Sequence, residues 1–213
     1  MARWRHLAAA TAAIMLMSQA PARAEPALSN DWTVAAAGAV APLAELNPGD
    51  AAEFCPAYAT LAPDQRRAFW VDFLIAVAQA ESGQDPTLSR FHAMDRDAGR
   101  PTFRRGLLQI SIESANRPAY ACGVADPKGL LDPATNVACG VKILAYWIGR
   151  DGVIAGGDKQ PLGGGRYWPT LARPVSRAAI AGRTSASAEC GLSDPDHGRA
   201  SAPGSVGLAD RPG

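Results

Sequence analysis

Apolar residues at helical spacing make residues 63–83 the strongest predicted element of the chain. They recur at intervals of three and four and so fall on one face of an amphipathic helix. Pro63 suits the first turn, where its missing N–H costs nothing, and Gly83 is placed to end the helix. The apolar positions are Phe69, Phe73, Ala76, Val77 and Ala80.

A second apolar seam predicts a helix over residues 133–148, with members at i, i+4, i+7 and i+11. Asp132 is a good N-cap, Pro133 fits the first helical position, and Gly149 is placed to end the helix. The amide of Asn136 lies in the first turn, where it can tie down neighbouring loops. The seam consists of Val137, Val141, Leu144 and Ile148.

No segment between these helices shows a convincing strand alternation. Residues 84–105 are polar and contain Pro, Gly and many charges, which favours a long loop. The apolar stretch 106–111, GLLQIS, fits either a buried strand or the entry to a helix, and Ser111 can cap a short helix to Ala115. The pattern therefore predicts a mainly α fold with long loops.

The flanking regions predict less order. Residues 25–54 are rich in Ala and Pro and indicate a loosely ordered lead-in, with at most a short helical piece, to a domain over residues 55–174. Within that domain, the aromatic pair of GGGRYW (163–168) could stack on a sugar ring or plug the core. Residues 175–213 have the Ser, Ala, Gly and Pro bias of a largely disordered tail, apart from whatever anchors Cys190.

The first 24 residues have the features of a secretory signal. Two early arginines precede an apolar stretch too short to span a bilayer, and Ala22-Arg23-Ala24 fits a cleavage site, with an uncleaved anchor as the alternative. Removing the three arginines of this segment leaves 18 basic against 20 acidic residues, a net charge of −2. We expect a periplasmic or secreted monomer without stable membrane insertion, and no basic field predicts nucleic-acid binding.

The four cysteines predict two disulfides in an oxidising compartment. Three pairings are possible, and Cys122–Cys139 with Cys55–Cys190 is favoured. The Cys122–Cys139 disulfide would close a short loop and stabilise the folded state by about 3 kcal/mol. Zinc is disfavoured because no C-x-x-C spacing occurs and the histidines are scattered. Calcium at Asp95, Asp97 and Gly99 lacks the chelating Glu at the twelfth position. We expect no metal and no cofactor.

Glu81 lies at the edge of the first apolar stripe, near the end of its helix. Burial against an apolar wall would raise the pKa of this carboxyl, because it disfavours the charged form. A carboxylic acid that stays protonated near neutral pH can act as a general acid. The alternative is an ordinary solvated charge at a helix end.

Three motifs in order carry a family resemblance. Glu81-Ser82 at a helix end, then GLLQIS, then LLDPATNVACGVKIL resemble the lytic transglycosylase family with a lysozyme-like SLT (soluble lytic transglycosylase) catalytic domain, over residues 55–170. The resemblance implies a lysozyme-like helical domain with a glycan-binding cleft, acting on a peptidoglycan glycan strand. It implies cleavage of the β-1,4 bond between N-acetylmuramic acid and N-acetylglucosamine, with formation of a 1,6-anhydro sugar.

The same resemblance assigns roles to individual residues. Glu81 would be the acid and then the base, and Ser82 would orient it or the sugar. Gln109 would line the cleft, Ser111 would join the substrate-binding set, and Asn136 would be structural.

The chain departs from the family in one motif. It lacks the Ala-Tyr-Asn-x-Gly string whose Tyr contacts the catalytic Glu, so Tyr167 or Tyr146 is the expected substitute. A two-carboxylate glycosidase needs a second acid across the cleft, for which Glu113, Asp95 and Asp97 are the candidates.

Two alternative functions stay open: a hydrolytic muramidase on the same fold, and an inactive glycan-binding cell-wall protein. A serine hydrolase is disfavoured because no G-x-S-x-G string occurs. General wall turnover and local opening of the wall for a secretion or conjugation machine both fit an exported enzyme of this size.

Overall fold

In the computed structural model of the protein, helices dominate residues 30–95, 99–157 and 159–191, which are the residues that the structure describes. The mainly α fold predicted from the sequence is confirmed. The α-helices are α1 (Asn30–Ala39), α2 (Ala41–Ala44), α3 (Ala51–Phe54), α4 (Pro63–Ser82), α5 (Ile112–Ala115), α6 (Pro133–Asp151), α7 (Pro169–Ala172) and α8 (Pro174–Ser185). The strands are β1 (Ser89–Asp95), β2 (Arg100–Arg105), β3 (Ile110–Ser111), β4 (Ala155–Gly156) and β5 (Leu162–Gly163).

The long helix α4 runs through the centre of the core, as its apolar stripe predicts. Trp70 packs edge-on against Phe69 and Phe73, with ring centroids 5.0 and 5.4 Å apart. All three rings are fully buried, so they remove a large apolar area from water. Gly83 ends the helix with φ of +66°, a left-handed conformation that suits glycine.

The prediction of a loosely ordered lead-in over residues 25–54 is wrong from Asn30 onward. Helices α1, α2 and α3 occupy this region, and α1 packs against α4 and α6. Trp32, Val40 and Leu43 are buried there. The pattern was hard to read because alanines occupy many positions on both faces of α1, which blurs the contrast between apolar and polar residues.

The long loop predicted over residues 84–105 is also wrong, because it contains an antiparallel hairpin of β1 and β2. Strand β3 adds to β2, so the sheet order is β1-β2-β3. The pairing slips between Phe91 and Ala93, which leaves His92 as the extra residue of a β-bulge. This bulge and the exposure of most of β1 conceal the alternation expected of a strand.

Helix α6 begins where the sequence predicts and ends later. Asp132 caps it by accepting a hydrogen bond from the Thr135 N–H at 2.8 Å. The predicted stop at Gly149 is wrong, because the helix continues to Asp151 and Gly152 takes the left-handed conformation with φ of +72°.

The predicted tail is packed as far as residue 191. Helix α8 lies against α4 and α3, and Thr184 Oγ1 donates a hydrogen bond to the Phe54 carbonyl at 2.7 Å. The prediction of disorder after residue 174 is therefore wrong for 175–191, while residues 192–213 lie outside the described part of the chain. The proposed signal segment, 1–24, also lies outside it.

Both favoured disulfides are present, Cys55–Cys190 and Cys122–Cys139. The first joins the end of α3 to the chain that follows α8, across 135 residues of sequence. The second joins the segment after α5 to α6. Across the described ranges, we find no helix with the length and apolar character needed to cross a bilayer.

Candidate active site

Glu81 occupies the last turn of α4 and is only 8% exposed. Thr170 Oγ1, at the start of α7, donates a hydrogen bond to Glu81 Oε1 at 2.6 Å. Burial raises the pKa of the Glu81 carboxyl, while the Thr170 hydrogen bond and the charges of Arg104, Arg90 and Arg173 oppose this rise. The raised pKa agrees with the expectation from the sequence.

Glu81 faces one of two adjoining cavities that together form a cleft. The Glu81 cavity has a volume of about 320 Å³ and is also lined by Arg90, Gln109 and Pro169. The neighbouring cavity, of about 390 Å³, is lined by polar and aromatic side chains from β2, α5 and the segment before α7. His92 and Arg104 line both cavities, so the hairpin forms one side of the whole cleft.

The GLLQ turn, residues 106–109, contributes Gln109 to the Glu81 cavity and is fixed by Asn136. Asn136 Oδ1 accepts a hydrogen bond from the Leu108 N–H at 2.8 Å. Its Nδ2 donates to the carbonyls of Arg105 and Leu130, at 2.9 and 2.8 Å. Gly106 has φ of +71°, and a Cβ there would lie 2.2 Å from the Leu130 carbonyl oxygen. The turn therefore requires both the glycine and the amide.

Gln109 lines the same cavity as Glu81, and one of its side-chain atoms is a buried hydrogen-bond acceptor without a partner in the described chain. Its side chain is only 2% exposed, and its Nε2 donates to the carbonyls of Gly106 and Leu88, at 2.9 and 3.2 Å. Its Oε1 is buried without a hydrogen-bond partner among the described residues. Its backbone has φ of +49°, which is uncommon for a residue other than glycine, and strained residues of this kind cluster at functional sites.

The two predicted serines make local contacts. Ser82 Oγ donates to the Ala78 carbonyl at 3.1 Å, one turn back along α4, so no hydrogen bond joins it to Glu81 within the described chain. Ser111 caps α5, as predicted, by accepting from the Ser114 N–H at 3.2 Å. Ser111 lines the neighbouring cavity rather than the Glu81 cavity.

Neither tyrosine proposed as the partner of Glu81 forms a hydrogen bond to it among the described residues. Tyr167 Oη instead accepts a long, 3.4 Å hydrogen bond from the Ser111 N–H in the neighbouring cavity. Tyr146 packs edge-on against Tyr120 and Trp147. The hydroxyl beside Glu81 belongs to Thr170, which the sequence did not mark, because Thr170 is part of no motif and lies 89 residues from Glu81 along the chain.

Of the two alternatives for the GGGRYW segment, the structure shows the core plug, while stacking on a sugar ring stays a prediction for Tyr167. Trp168 is fully buried, and its Nε1 donates to the Leu108 carbonyl at 2.8 Å, so it plugs the core behind the GLLQ turn. Tyr167 is half-buried and faces the cleft. The Arg104 guanidinium lies 5.7 Å from the centre of the Tyr167 ring.

None of the three candidates for a second carboxylate is seen in the Glu81 cavity: one lines the neighbouring cavity, and the side chains of the other two are not described. Glu113 is exposed and lines the neighbouring cavity. The side chain of Asp95 and all of Asp97 lie outside the description. Among the side chains described, Glu81 is the one acid that lines its cavity. A search of the same residues finds no group of three His, Cys, Asp or Glu side chains able to hold a metal.

Comparisons with known proteins agree with this architecture. Residues 59–153 match the transglycosylase SLT domain family. Among solved structures, the wild-type form 2 of Bd0314 DslA is 34% identical, with a TM-score of 0.70, over 76% of this chain and 92% of that chain. Two mutants of the same protein, each with a glutamate replaced by glutamine, match at 34% and 35% identity with the same TM-score and coverage. A search of curated proteins finds no match.

The family match spans α4, the GLLQ turn and α6, which are the elements that position Glu81, Gln109 and Asn136. The solved relatives extend the likeness to most of the chain at more than 30% identity. This chain therefore belongs to the transglycosylase SLT domain family, with its lysozyme-like fold.

Proposed function

We propose that this protein is a lytic transglycosylase that cleaves the β-1,4 bond between N-acetylmuramic acid and N-acetylglucosamine in peptidoglycan. The observation that carries the proposal is the setting of Glu81, a buried carboxyl with a raised pKa, alone among described acids in its cavity. One carboxyl in the cavity, with Glu113 only in the neighbouring one, fits a reaction in which the same group acts first as acid and then as base.

In the first step, protonated Glu81 would donate its proton to the glycosidic oxygen as the bond from that oxygen to muramic acid C1 breaks. The resulting carboxylate would then accept the proton of the muramic acid 6-hydroxyl as its oxygen bonds to C1. The products are a 1,6-anhydro end and a free sugar hydroxyl, and Glu81 returns to its protonated state. No water is consumed, so no second carboxylate is needed to activate one.

Thr170 supports the double role of Glu81. Its hydroxyl donates to Oε1, which fixes the carboxyl and leaves Oε2 for the proton transfers. Because this hydrogen bond favours the ionised form, it limits the rise in pKa that burial causes. A group that must both release and take up a proton works best when neither form is strongly favoured.

Gln109 is the proposed contact for the sugar. Its free Oε1 can accept a hydrogen bond from a sugar hydroxyl or from an N-acetyl N–H. A buried acceptor without a partner costs about 1–3 kcal/mol, and a bound ligand that supplies the donor would recover this energy. The unusual φ of Gln109 is consistent with a turn shaped for binding.

The two disulfides support export to an oxidising compartment. Together with the signal-like features of residues 1–24, they support a periplasmic or secreted location, where peptidoglycan lies.

The test is to digest purified peptidoglycan with the mature protein and with Glu81→Gln, and to identify the soluble products by mass spectrometry. We expect muropeptides lighter by one water than hydrolytic products, formed by the wild type and reduced at least about 10³-fold in Glu81→Gln. Hydrated products would assign a muramidase instead. Binding without any product from the wild type would assign a glycan-binding protein.

A further inference from the structure

Two arginines face each other across the hairpin at the edge of the Glu81 cavity. Arg90 on β1 and Arg104 on β2 are direct cross-strand partners, so their side chains leave the sheet on the same face. Both line the Glu81 cavity, and Arg104 also lines the neighbouring one. Both lie close enough to Glu81 for their charges to lower its pKa.

This pairing is unfavourable for the free protein. Like charges directly opposite each other in an antiparallel sheet repel and destabilise it. Within the described residues, neither arginine forms an ion pair, and the nearby Glu81 carboxyl is held by Thr170. By contrast, Arg166 and Arg177 are paired with Asp151 and Glu53. The Arg104 guanidinium lies beside the Tyr167 ring rather than a carboxylate, so two cations without an ion-pair partner in the described chain share one face of the cleft and can attract an anion.

The surroundings of the pair also suit a ligand. The bulge at His92 directs that side chain into the same cleft, and burial followed by the charge of Arg104 lowers the pKa of His92, which favours its neutral form. Gln109, whose buried Oε1 has no hydrogen-bond partner among the described residues, lines the same cavity. A ligand that carries a carboxylate next to hydroxyl or N–H groups would satisfy the arginines and Gln109 together.

We infer that Arg90 and Arg104 form a subsite for a carboxylate of the glycan substrate, next to the bond that is cut. This inference rests on the proposed function. A guanidinium binds a carboxylate through two parallel hydrogen bonds, and two guanidiniums can enclose one carboxylate. Binding there would hold the substituted sugar in register with Glu81 and would select strands that carry a negative charge.

Two parts of peptidoglycan can supply this carboxylate. In a strand stripped of its peptides, the lactyl ether of muramic acid ends in a free carboxylate. In an intact strand, the lactyl group is an amide, and the carboxylates belong to the stem peptide. An oligomer of N-acetylglucosamine has neither group and is the uncharged reference.

The experiment measures binding and cleavage of these three substrates by the mature protein. The variants are Arg90→Gln, Arg104→Gln and the charge-preserving Arg90→Lys. The matched control is Arg100→Gln, which removes an exposed arginine from the same hairpin but away from both cavities. Each variant is also made in the Glu81→Gln background, so that affinity is measured without turnover, and melting temperatures check the fold.

We expect Arg90→Gln and Arg104→Gln to weaken binding of a carboxylate-bearing strand about tenfold each, equivalent to about 1.4 kcal/mol. Binding of the uncharged oligomer should not change, Arg100→Gln should match the parent, and Arg90→Lys should recover part of the loss. A loss confined to the stripped strand assigns the lactyl carboxylate, and a loss confined to the intact strand assigns the stem peptide.

Equal losses on charged and uncharged oligomers would overturn the inference, because they would mean that the arginines act only through the pKa of Glu81 or through the fold. Unchanged binding of all three substrates would overturn it as well. If the wild type cleaves none of the substrates, the proposed reaction is wrong, but the carboxylate subsite is still tested. Its test is then whether binding by the Glu81→Gln variants depends on the charge of the substrate.

Discussion

The two sides of the cleft differ in almost every physical property. The inner wall, where Glu81 and Gln109 line the cavity and Asn136 fixes the GLLQ turn, is buried, and Asn136 alone makes three hydrogen bonds to the backbone. The hairpin of β1 and β2 is solvated, with Phe91 and Met94 61% and 55% exposed. The wall holds a carboxyl in a low-dielectric site, whereas Arg90 and Arg104 on the hairpin form no ion pair with any described residue.

Under the proposed function, we expect this difference to give the two sides separate tasks. Proton transfer requires a fixed carboxyl whose pKa is set by burial, and the wall supplies both conditions. Recognition of a charged polymer can use solvated groups that bind and release without reorganising a core. Changes in the wall should therefore alter stability and turnover, and changes in the hairpin should alter affinity.

The largest expected effect is structural and lies in the wall. In Gly106→Ala, the new Cβ would overlap the Leu130 carbonyl at a left-handed φ, so we expect a loss of about 3 kcal/mol or more in unfolding free energy. Asn136→Ala should cost a similar amount, since it leaves buried backbone groups unpaired. Urea unfolding followed by circular dichroism measures both.

Gly149→Ala is the matched control for this effect. Gly149 is exposed on α6, and a Cβ there meets nothing within 4 Å, so alanine should raise stability by about 1 kcal/mol through helix propensity. If Gly106→Ala were as stable as Gly149→Ala, the GLLQ turn would not depend on glycine as described.

The next effect concerns the setting of Glu81. Thr170→Val removes the hydroxyl that favours the carboxylate, so the pKa of Glu81 should rise further, and kcat should fall about tenfold. In the proposed reaction, activity requires protonated Glu81 and declines as the pH rises through the pKa of that carboxyl. The alkaline limb of the pH–rate profile should therefore move to higher pH. Thr170→Ser keeps the hydroxyl and should restore both kcat and the profile.

If the pH–rate profile of Thr170→Val coincided with that of the wild type, at an equal melting temperature, Thr170 would have no role in the acid–base chemistry. A lower kcat that serine also fails to restore would assign Thr170 to packing of α7 instead.

The smallest expected effect lies on the hairpin. Phe91 lines the Glu81 cavity, and its ring meets Phe103 edge-on with 6.2 Å between centroids. Phe91→Ala should raise KM about threefold with kcat unchanged, because it removes a solvated contact surface for a sugar ring. Val34→Ala, on the exposed side of α1, should change neither constant. A fall in kcat with KM unchanged would place Phe91 in the catalytic wall.

The sequence predicted the elements of the wall better than the hairpin, because the wall is built from local sequence signals and the hairpin is not. Periodicity, caps and the Glu81-Ser82, GLLQ and Asn136 motifs are local signals, so α4, α6 and the candidate acid could be read directly. The hairpin was missed because its bulge and exposed surface interrupt the alternation. Thr170 was missed because only the fold brings α7 to the end of α4.

The helices at the two ends were missed for related reasons. In α1, alanines fill much of the helix surface, so the apolar stripe has little contrast. In α8, only a few residues, such as Ile180 and Thr184, are buried. The Cys55–Cys190 disulfide also holds the chain after α8 against the end of α3. Such contacts depend on chain segments more than 100 residues away, which no local pattern records.

The central claim is that Glu81 acts alone, as acid and then as base, with a sugar hydroxyl as the nucleophile. The most direct test is digestion of peptidoglycan in water enriched in a heavy oxygen isotope, followed by mass spectrometry of the new glycan ends. The account predicts anhydro ends without the label, formed by the wild type and lost in Glu81→Gln. Labelled reducing ends, released at the same rate as the strand is cut, would contradict it and show that water attacks C1.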